Sequence, residues 1–345
     1  MITPNRTSWQ PDTWQKLLQN AFRQPQALLD YLGLENNDHV IDQHPDFKML
    51  VPEPFARRMQ PGNPNDPLLL QVLPSNEENQ QSDGFTLDPL METDPTLSFQ
   101  RAPTLIQKYQ GRVLMITTPG CAVNCRYCFR RHFPYQDHRP TAHGEALAVI
   151  RTDSSVEEVI LSGGDPLLLS DRAMNELFDE INAIDHIKRI RLHSRLPIVL
   201  PQRVTDNLLK VFTQSRCPVT LVVHCNHAQE LSADTADAFA QLRQAGVHLL
   251  NQSVLLRQIN DQTTTLCQLS AALFDQGVLP YYLHMPDPVA GTAHFYVTDQ
   301  EALRLHDEMR ATLPGYLLPR LVREVAGKAS KSELNAETIT ALNPA

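Results

Sequence analysis

Three cysteines in the run Cys121-Ala-Val-Asn-Cys125-Arg-Tyr-Cys128 carry the first chemistry that can be read from this chain. A [4Fe–4S] cube needs a ligand on each iron, and thiolates normally supply them. Three thiolates on one short loop leave one iron open, and an open coordination position is where a metal centre reacts. Two plainer roles compete. Structural zinc takes four Cys or His ligands, and His132 could be the fourth. Disulfides are disfavoured, because the start Met1-Ile2-Thr3-Pro4 lacks a charged-then-apolar secretory signal. The strand-like Val113–Ile116 before the loop, and Tyr127 and Phe129 within and after it, suit a shielded cluster at a strand end.

A second candidate is Ser162-Gly163-Gly164-Asp165-Pro166. Glycines let a ligand approach the backbone, and carbonyls with a carboxylate can meet an ammonium group. An ordinary turn between strand and helix uses the same residues. Lys328 and Lys331 by themselves read as solvated lysines on a polar tail.

The elements that must position these groups follow from periodicity. Apolar, β-branched runs at Val113–Thr117, Val156–Leu161, Ile190–His193, Val219–His224, Val247–Leu250 and Val278–Leu283 predict six strands. Helical stretches lie between them; Leu266, Leu269 and Leu273 fall on one face and Gly277 closes that helix. Alternating strands and helices predict an α/β fold with a parallel sheet covered by helices, whether open or closed. Residues 1–100 read as an α-helical extension, with Trp14, Leu17, Leu18 and Phe22 at helical spacing and Asp12 or Thr13 as a cap. The turn cluster Pro61–Pro67 opens the apolar run Leu68–Leu73, and Ser75–Gly84 reads as loop. The core spans 101–315 and a C-terminal segment 316–345.

With 345 residues and 42% hydrophobic content, the chain can bury a sizeable core. A formal charge of −9 argues against a nucleic-acid-binding surface as the main feature. No apolar run reaches membrane-spanning length, so a cytoplasmic protein is expected, with Cys217, Cys225 and Cys267 as buried free thiols.

The cysteine spacing resembles that of radical S-adenosylmethionine (SAM) enzymes. The order Cys125-Arg-Tyr-Cys128-Phe-Arg130-Arg131, Ser162-Gly-Gly-Asp-Pro, His193-Ser-Arg195-Leu-Pro, Asn251-Gln252-Ser-Val-Leu-Leu-Arg257 and Tyr281-Tyr282-Leu resembles the lysine 2,3-aminomutase family in particular, over about residues 55–332. The resemblance implies a partial (β/α)6 barrel with its site at the C-terminal strand ends. It implies SAM on the open iron, cleaved by a cluster electron to a 5′-deoxyadenosyl radical, and pyridoxal 5′-phosphate (PLP) as a second cofactor. Counting from Pro319 of Gly315-Tyr316-Leu-Leu-Pro319 makes Lys331 the PLP lysine, with Lys328 as the alternative. The resemblance assigns Gly163, Gly164 and Asp165 to the methionine end of SAM and Gln252 to the cofactors. It assigns Arg112 and Arg195 to the PLP phosphate, and Lys108 replaces a further family arginine there. It also assigns Arg130 to the substrate α-carboxylate and Asp287 and Glu324 to the ε-ammonium of L-lysine. In the reaction so implied, hydrogen leaves C3, the amino group moves from C2 to C3, and hydrogen returns at C2.

The short tail after Lys331, the run Arg130–Tyr135 and the Trp-bearing N-terminus resemble the branch that supplies (R)-β-lysine for elongation factor P, where a separate ligase attaches it. A flavodoxin- or ferredoxin-type electron donor is implied. The alternatives are an enzyme making free β-lysine or acting on another amino acid, a PLP-independent radical SAM enzyme, and a non-catalytic iron–sulfur protein.

Overall fold

The computed structural model of the protein describes residues 13–35, 41–42, 45–135 and 143–335. Its centre is one ten-stranded sheet whose strands lie side by side in chain order. The strands are β1 (Gln100–Ala102), β2 (Leu105–Tyr109), β3 (Arg112–Thr118), β4 (Glu158–Gly163), β5 (Arg189–Ser194), β6 (Val219–Val223), β7 (His248–Val254), β8 (Leu279–His284), β9 (Arg320–Arg323) and β10 (Ser332–Glu333). From β3 to β9 every pairing is parallel; β1 and β2 join one edge and β10 the other as antiparallel strands. Among the described residues, six longer helices connect β3 through β9: His143–Thr152, Asp171–Asn182, Asp206–Gln214, Ala233–Gln244, Thr263–Asp275 and Asp299–Thr312, with the short Leu196–Val199 following β5. This is a partial (β/α)6 barrel, open between its edges, with a seventh parallel strand.

All six predicted strands are present, as β3 to β8. The sequence ended the fifth too early, since β7 runs through the polar Asn251-Gln252-Ser253 to Val254. It missed β9, where only Leu321 and Val322 are apolar and arginines flank them. The extension is less helical than expected: among the described residues its α-helices are the short Thr13–Gln19, Pro25–Leu32, Glu53–Ala56 and Pro67–Leu70, and turns fill most of the rest. Prolines explain this: those at 61, 64 and 74 interrupt helices, while those at 52, 54 and 67 are tolerated at or before a first turn and so only start short ones. Thr13 lies inside the first helix rather than capping it; Asp12 falls outside the described residues. At Pro67–Leu70 the turn cluster acts as a cap, with Asp66 accepting from the amides of Leu68 and Leu69.

The extension shares its core with the barrel. Leu28, Phe55, Leu68 and Leu69 are fully buried in one apolar cluster with Val113, Met115, Val159 and Leu161. Each such side chain contributes about 1.5–3 kcal/mol.

Alternation along the strands defines the inner face. In β5, Ile190 and Leu192 pack into the helix-facing core, so Arg191 and His193 point the opposite way. The same alternation turns Gln252 of β7 and Tyr282 and His284 of β8 inward, opposite the core residues Leu249 and Leu283. A barrel filled only for stability carries layers of Val, Ile and Leu inside. Polar residues here mark the interior as a site.

Candidate active site

The cysteine loop follows β3 and is tied down by the N-terminal extension. The amides of Asn124 and Arg126 donate to the carbonyls of Leu50 (3.1 Å) and Gln71 (2.9 Å). Arg126, which lies between Cys125 and Cys128 in sequence and is fully buried, donates to Glu78 at 2.8 Å and to the Phe47 carbonyl at 2.7 Å. Arg131 shares the same Glu78 carboxylate at 2.6 Å. Cys121, Cys125 and Cys128 are free thiols with partly exposed surfaces. Burial by the surrounding protein and, next, mutual thiolate repulsion push Cys128 up to about 11 and Cys121 well above the usual range. A cationic iron cluster relieves both effects, so this donor set fits one. His132, the candidate fourth zinc ligand, has its Nε2 at 3.1 Å from the Ala290 carbonyl. Among the described residues no three His, Cys, Asp or Glu side chains are set to hold a single ion.

Gly163 and Gly164 are required by protein backbone, which differs from the expected room for a ligand. A Cβ on Gly164 would lie 1.9 Å from the Gly120 carbonyl oxygen, and one on Gly163 would lie 2.7 Å from that of Thr118. Gly163 also has φ of 123°, which side chains disfavour. The amides of Gly164 and Asp165 donate to Thr118 (2.8 Å) and Gly120 (2.7 Å), locking the end of β4 onto the cysteine loop. Gly164→Ala is therefore expected to lose most bound iron after anaerobic reconstitution. Wild-type iron content in that variant would show that the two loops need not touch.

Asp165 was expected to meet the SAM ammonium, and its carboxylate is already filled. One oxygen accepts from the Leu167 amide and Ser194 Oγ, the other from the Arg195 and Leu196 amides, at 2.7–3.1 Å. Four donors use a carboxylate's lone-pair directions. Burial raises this group to about 6 against the pull of those bonds. Asp165 thus joins the ends of β4 and β5.

Arg195 was expected at the PLP phosphate and sits instead at the cysteine loop. Its Nη1 lies 2.7 Å from Cys125 Sγ, and its Nη2 donates to Gln71 (2.6 Å) and Glu230 (2.9 Å).

Four of the remaining candidates, Lys331, Glu324, Lys108 and Arg130, are joined by one chain of ion pairs. Lys331 Nζ meets Glu324 at 2.6 Å, and Glu324 meets Lys108 at 2.9 Å. Lys108 meets Glu92 at 3.0 Å, and Glu92 holds Arg130 by two bonds of 2.7 and 2.8 Å. Because Lys108 lies on β2 and Glu324 just past β9, this chain spans the opening between the two edges. Burial would raise Glu324, yet the Lys331 and Lys108 ammoniums hold it well below the usual carboxylate range. Burial likewise opposes ionisation of Glu92, but Arg130 and Lys108 bring it to about 2. Lys108, expected near a phosphate, is here paired with two carboxylates. Arg130 presents Nε and Nη2 to Glu92 and stacks near the rings of Phe129 (5.0 Å) and Phe133 (5.6 Å). Its Nη1 edge remains for a carboxylate. Asp287, past β8, is raised to about 7 by burial and then by the Glu324 charge. Arg112 stacks 4.5 Å from the Tyr109 ring. Lys328 is exposed, whereas Lys331 is partly buried.

Gln252 Nε2 lies 2.9 Å from His224 Nε2. Burial, aided by nearby cations, lowers His193 and His284 well below the ordinary histidine range and His224 to about 3. The three imidazoles are neutral at pH 7. Nε2 of His193 and of His284 are buried without a partner.

Residues 115–268 match the radical SAM superfamily model. L-lysine 2,3-aminomutase of Escherichia coli is 44% identical over 340 residues, spanning 97% of this chain and 96% of that protein. The Haemophilus influenzae L-lysine 2,3-aminomutase is 42% identical over 92% of this chain and 94% of that protein. The chain belongs to the lysine 2,3-aminomutase family. Another relative, the L-lysine 2,3-aminomutase of Clostridium subterminale, is 32% identical over 94% of this chain and 77% of that protein.

Members of the lysine 2,3-aminomutase family are isomerases, and membership implies a [4Fe–4S] cluster, SAM and PLP. The residues fit that set: three thiols at a strand end, and an interior with a lysine and two unpartnered imidazole nitrogens. Sequence reasoning missed Glu78, Glu92, Glu230 and the three histidines. The histidines had a signal, since polar residues at inward positions near strand ends mark a barrel site. Glu92 had none; it lies in the polar turn stretch Met91–Asp94.

Proposed function

We propose that this protein is an L-lysine 2,3-aminomutase that converts (S)-α-lysine to (R)-β-lysine, with PLP carried by Lys331. The observation that supports this reading is the ion chain, which joins Arg130, Glu92, Lys108, Glu324 and the partly buried Lys331. Arg130 takes the α-carboxylate on its Nη1 edge while Glu92 holds its other edge. Asp287 and Glu324 receive the ε-ammonium, and the two charged ends fix which carbon faces the cofactors. When bound, the cluster with SAM supplies the hydrogen-abstracting radical, and PLP supplies the electron sink for amino migration. The neutral histidines add donors without adding charge, and the part of the chain beyond residue 315 delivers Lys331 to the opening of the core.

By likeness to the branch that serves elongation factor P, the product is (R)-β-lysine for a ligase acting on that factor. A flavodoxin- or ferredoxin-type donor supplies the electron. Among the described residues no helix is long and apolar enough to cross a membrane.

The test is anaerobic turnover of isotopically labelled L-lysine by iron-reconstituted, reduced protein with SAM and PLP, read by chiral mass spectrometry. Labelled (R)-β-lysine that requires PLP is the expected result. SAM cleavage without any β-lysine would defeat the substrate assignment, and (S)-β-lysine would defeat the elongation factor P assignment.

A further inference from the structure

Arg195 stands apart from the substrate site and has a task of its own. The residue is 5% exposed, and its guanidinium carbon lies 5.4 Å from the Phe55 ring centre and 5.7 Å from that of Tyr127. Both Nη2 protons are used, on Gln71 and Glu230, and Glu230 is fully buried. Glu230 is itself fixed by the Asn226 and His227 amides (2.9 and 3.1 Å) and by Gln71 Nε2 (3.1 Å). Asn226 Nδ2 reaches both Gln71 (3.0 Å) and Tyr127 OH (2.6 Å), so the frame closes on the cysteine loop. Held in this way, Arg195 cannot offer the two-pronged fork a phosphate prefers. Its Nε is buried without a partner, and Nη1 is directed at Cys125 Sγ from 2.7 Å.

We propose that Arg195 is a positioning residue for the iron–sulfur cluster: it donates a hydrogen bond to the Cys125 ligand sulfur and thereby sets the cluster's reduction potential. The inference rests on the cluster-ligand reading of the three cysteines. Reduction adds an electron to a centre whose thiolates are already negative, so an N–H donor at one sulfur favours the reduced state. Glu230 balances the guanidinium charge, leaving a directed donor rather than a free cation. Through its amide on Asp165, Arg195 also couples that sulfur to the end of β4 (2.8 Å).

The experiment compares wild type with Arg195→Lys and Arg195→Gln in EPR-monitored potentiometric titrations without SAM, alongside PLP affinity by absorbance titration. Arg195→Gln is expected to shift the potential to more negative values, Arg195→Lys to shift it less, and PLP affinity to stay within about twofold. An unshifted potential with PLP affinity weakened tenfold or more would return Arg195 to the phosphate and overturn the proposal. Should neither variant keep a cluster, wild type labelled with [15N]arginine decides: pulsed EPR of the reduced cluster is expected to show a guanidinium 15N coupling, and its absence overturns the proposal. A wild-type protein that assembles no [4Fe–4S] cluster would instead defeat the underlying cysteine reading, so the two failures are distinguishable.

Discussion

Replacing Asp287 with asparagine is expected to abolish most turnover while making the substrate-free protein more stable above pH 7. The carboxyl is raised from 3.8 to about 7, first by burial and then by the charge of Glu324, with Lys331 and Lys108 pulling the other way. A carboxyl raised on folding binds more protons in the native state, so its ionisation destabilises that state. The penalty is absent below the unfolded value near pH 4, grows between pH 4 and 7, and is complete above 7. A shift of this size corresponds to about 4 kcal/mol at most. Asp287 keeps some solvent contact, so about 2 kcal/mol is the figure to expect. Asparagine mimics the protonated form and removes that penalty. On the proposed function the same change takes one negative partner from the substrate ammonium and is expected to lower kcat/KM roughly a hundredfold or more. In wild type, kcat/KM is expected to rise with pH through about 7 as Asp287 ionises. Thermal melts of both proteins at pH 8 and pH 5 check the stability claim. An equal gain at both pH values would refute the electrostatic account, because packing effects do not titrate.

Local patterns carried what the sequence revealed. Cysteine spacing is a property of one loop, and the strands announce themselves as apolar runs, so both were legible residue by residue. Long-range pairing was not. Asp165 is visible as an acid beside a turn, but its occupied lone pairs come from Ser194, Arg195 and Leu196, on and just past the next strand. Arg195 is visible as an arginine at a strand end, but Gln71 and Glu230 decide which way it faces. Lys108 keeps its charge wherever it points; only the folded edges bring it between Glu92 and Glu324. In each case the residue type stated a capacity, and partners distant in sequence selected which capacity is used. The polar tail of β7 shows the converse. Asn251, Gln252 and Ser253 look like a loop by composition, yet Asn251 and Ser253 bond to Cys225 across the strands and Gln252 turns inward toward His224. A strand that lines a site is polar on its inner face, so the signal that ends an ordinary strand can mark a functional one.

Lys331→Ala is expected to lose PLP-linked absorbance and to cut turnover by at least about a thousandfold, whereas Lys328→Ala changes either by less than about twofold. The distinction rests on placement. Lys328 is exposed, while Lys331 is partly buried with Nζ on Glu324, itself paired to Lys108. Lysine binding to cofactor-free protein adds a readout independent of catalysis. In wild type Lys331 Nζ is paired with Glu324, the acid proposed for the substrate ε-ammonium, so on that proposal free lysine must displace an internal cation. Removing that cation leaves Glu324 and Asp287 facing Lys108 alone, one positive charge fewer against the same two acids. Cofactor-free Lys331→Ala is therefore expected to bind lysine more tightly than cofactor-free wild type, by about tenfold, or 1.4 kcal/mol. Norleucine, which lacks the ε-ammonium, is expected to show no such gain. Equal gains for lysine and norleucine in calorimetric titrations would mean that the variant only opens space. Tighter binding confined to lysine would identify the Glu324 pair as a counter-ion that PLP attachment to Lys331 removes, and cofactor loading would then be what opens the acid to substrate.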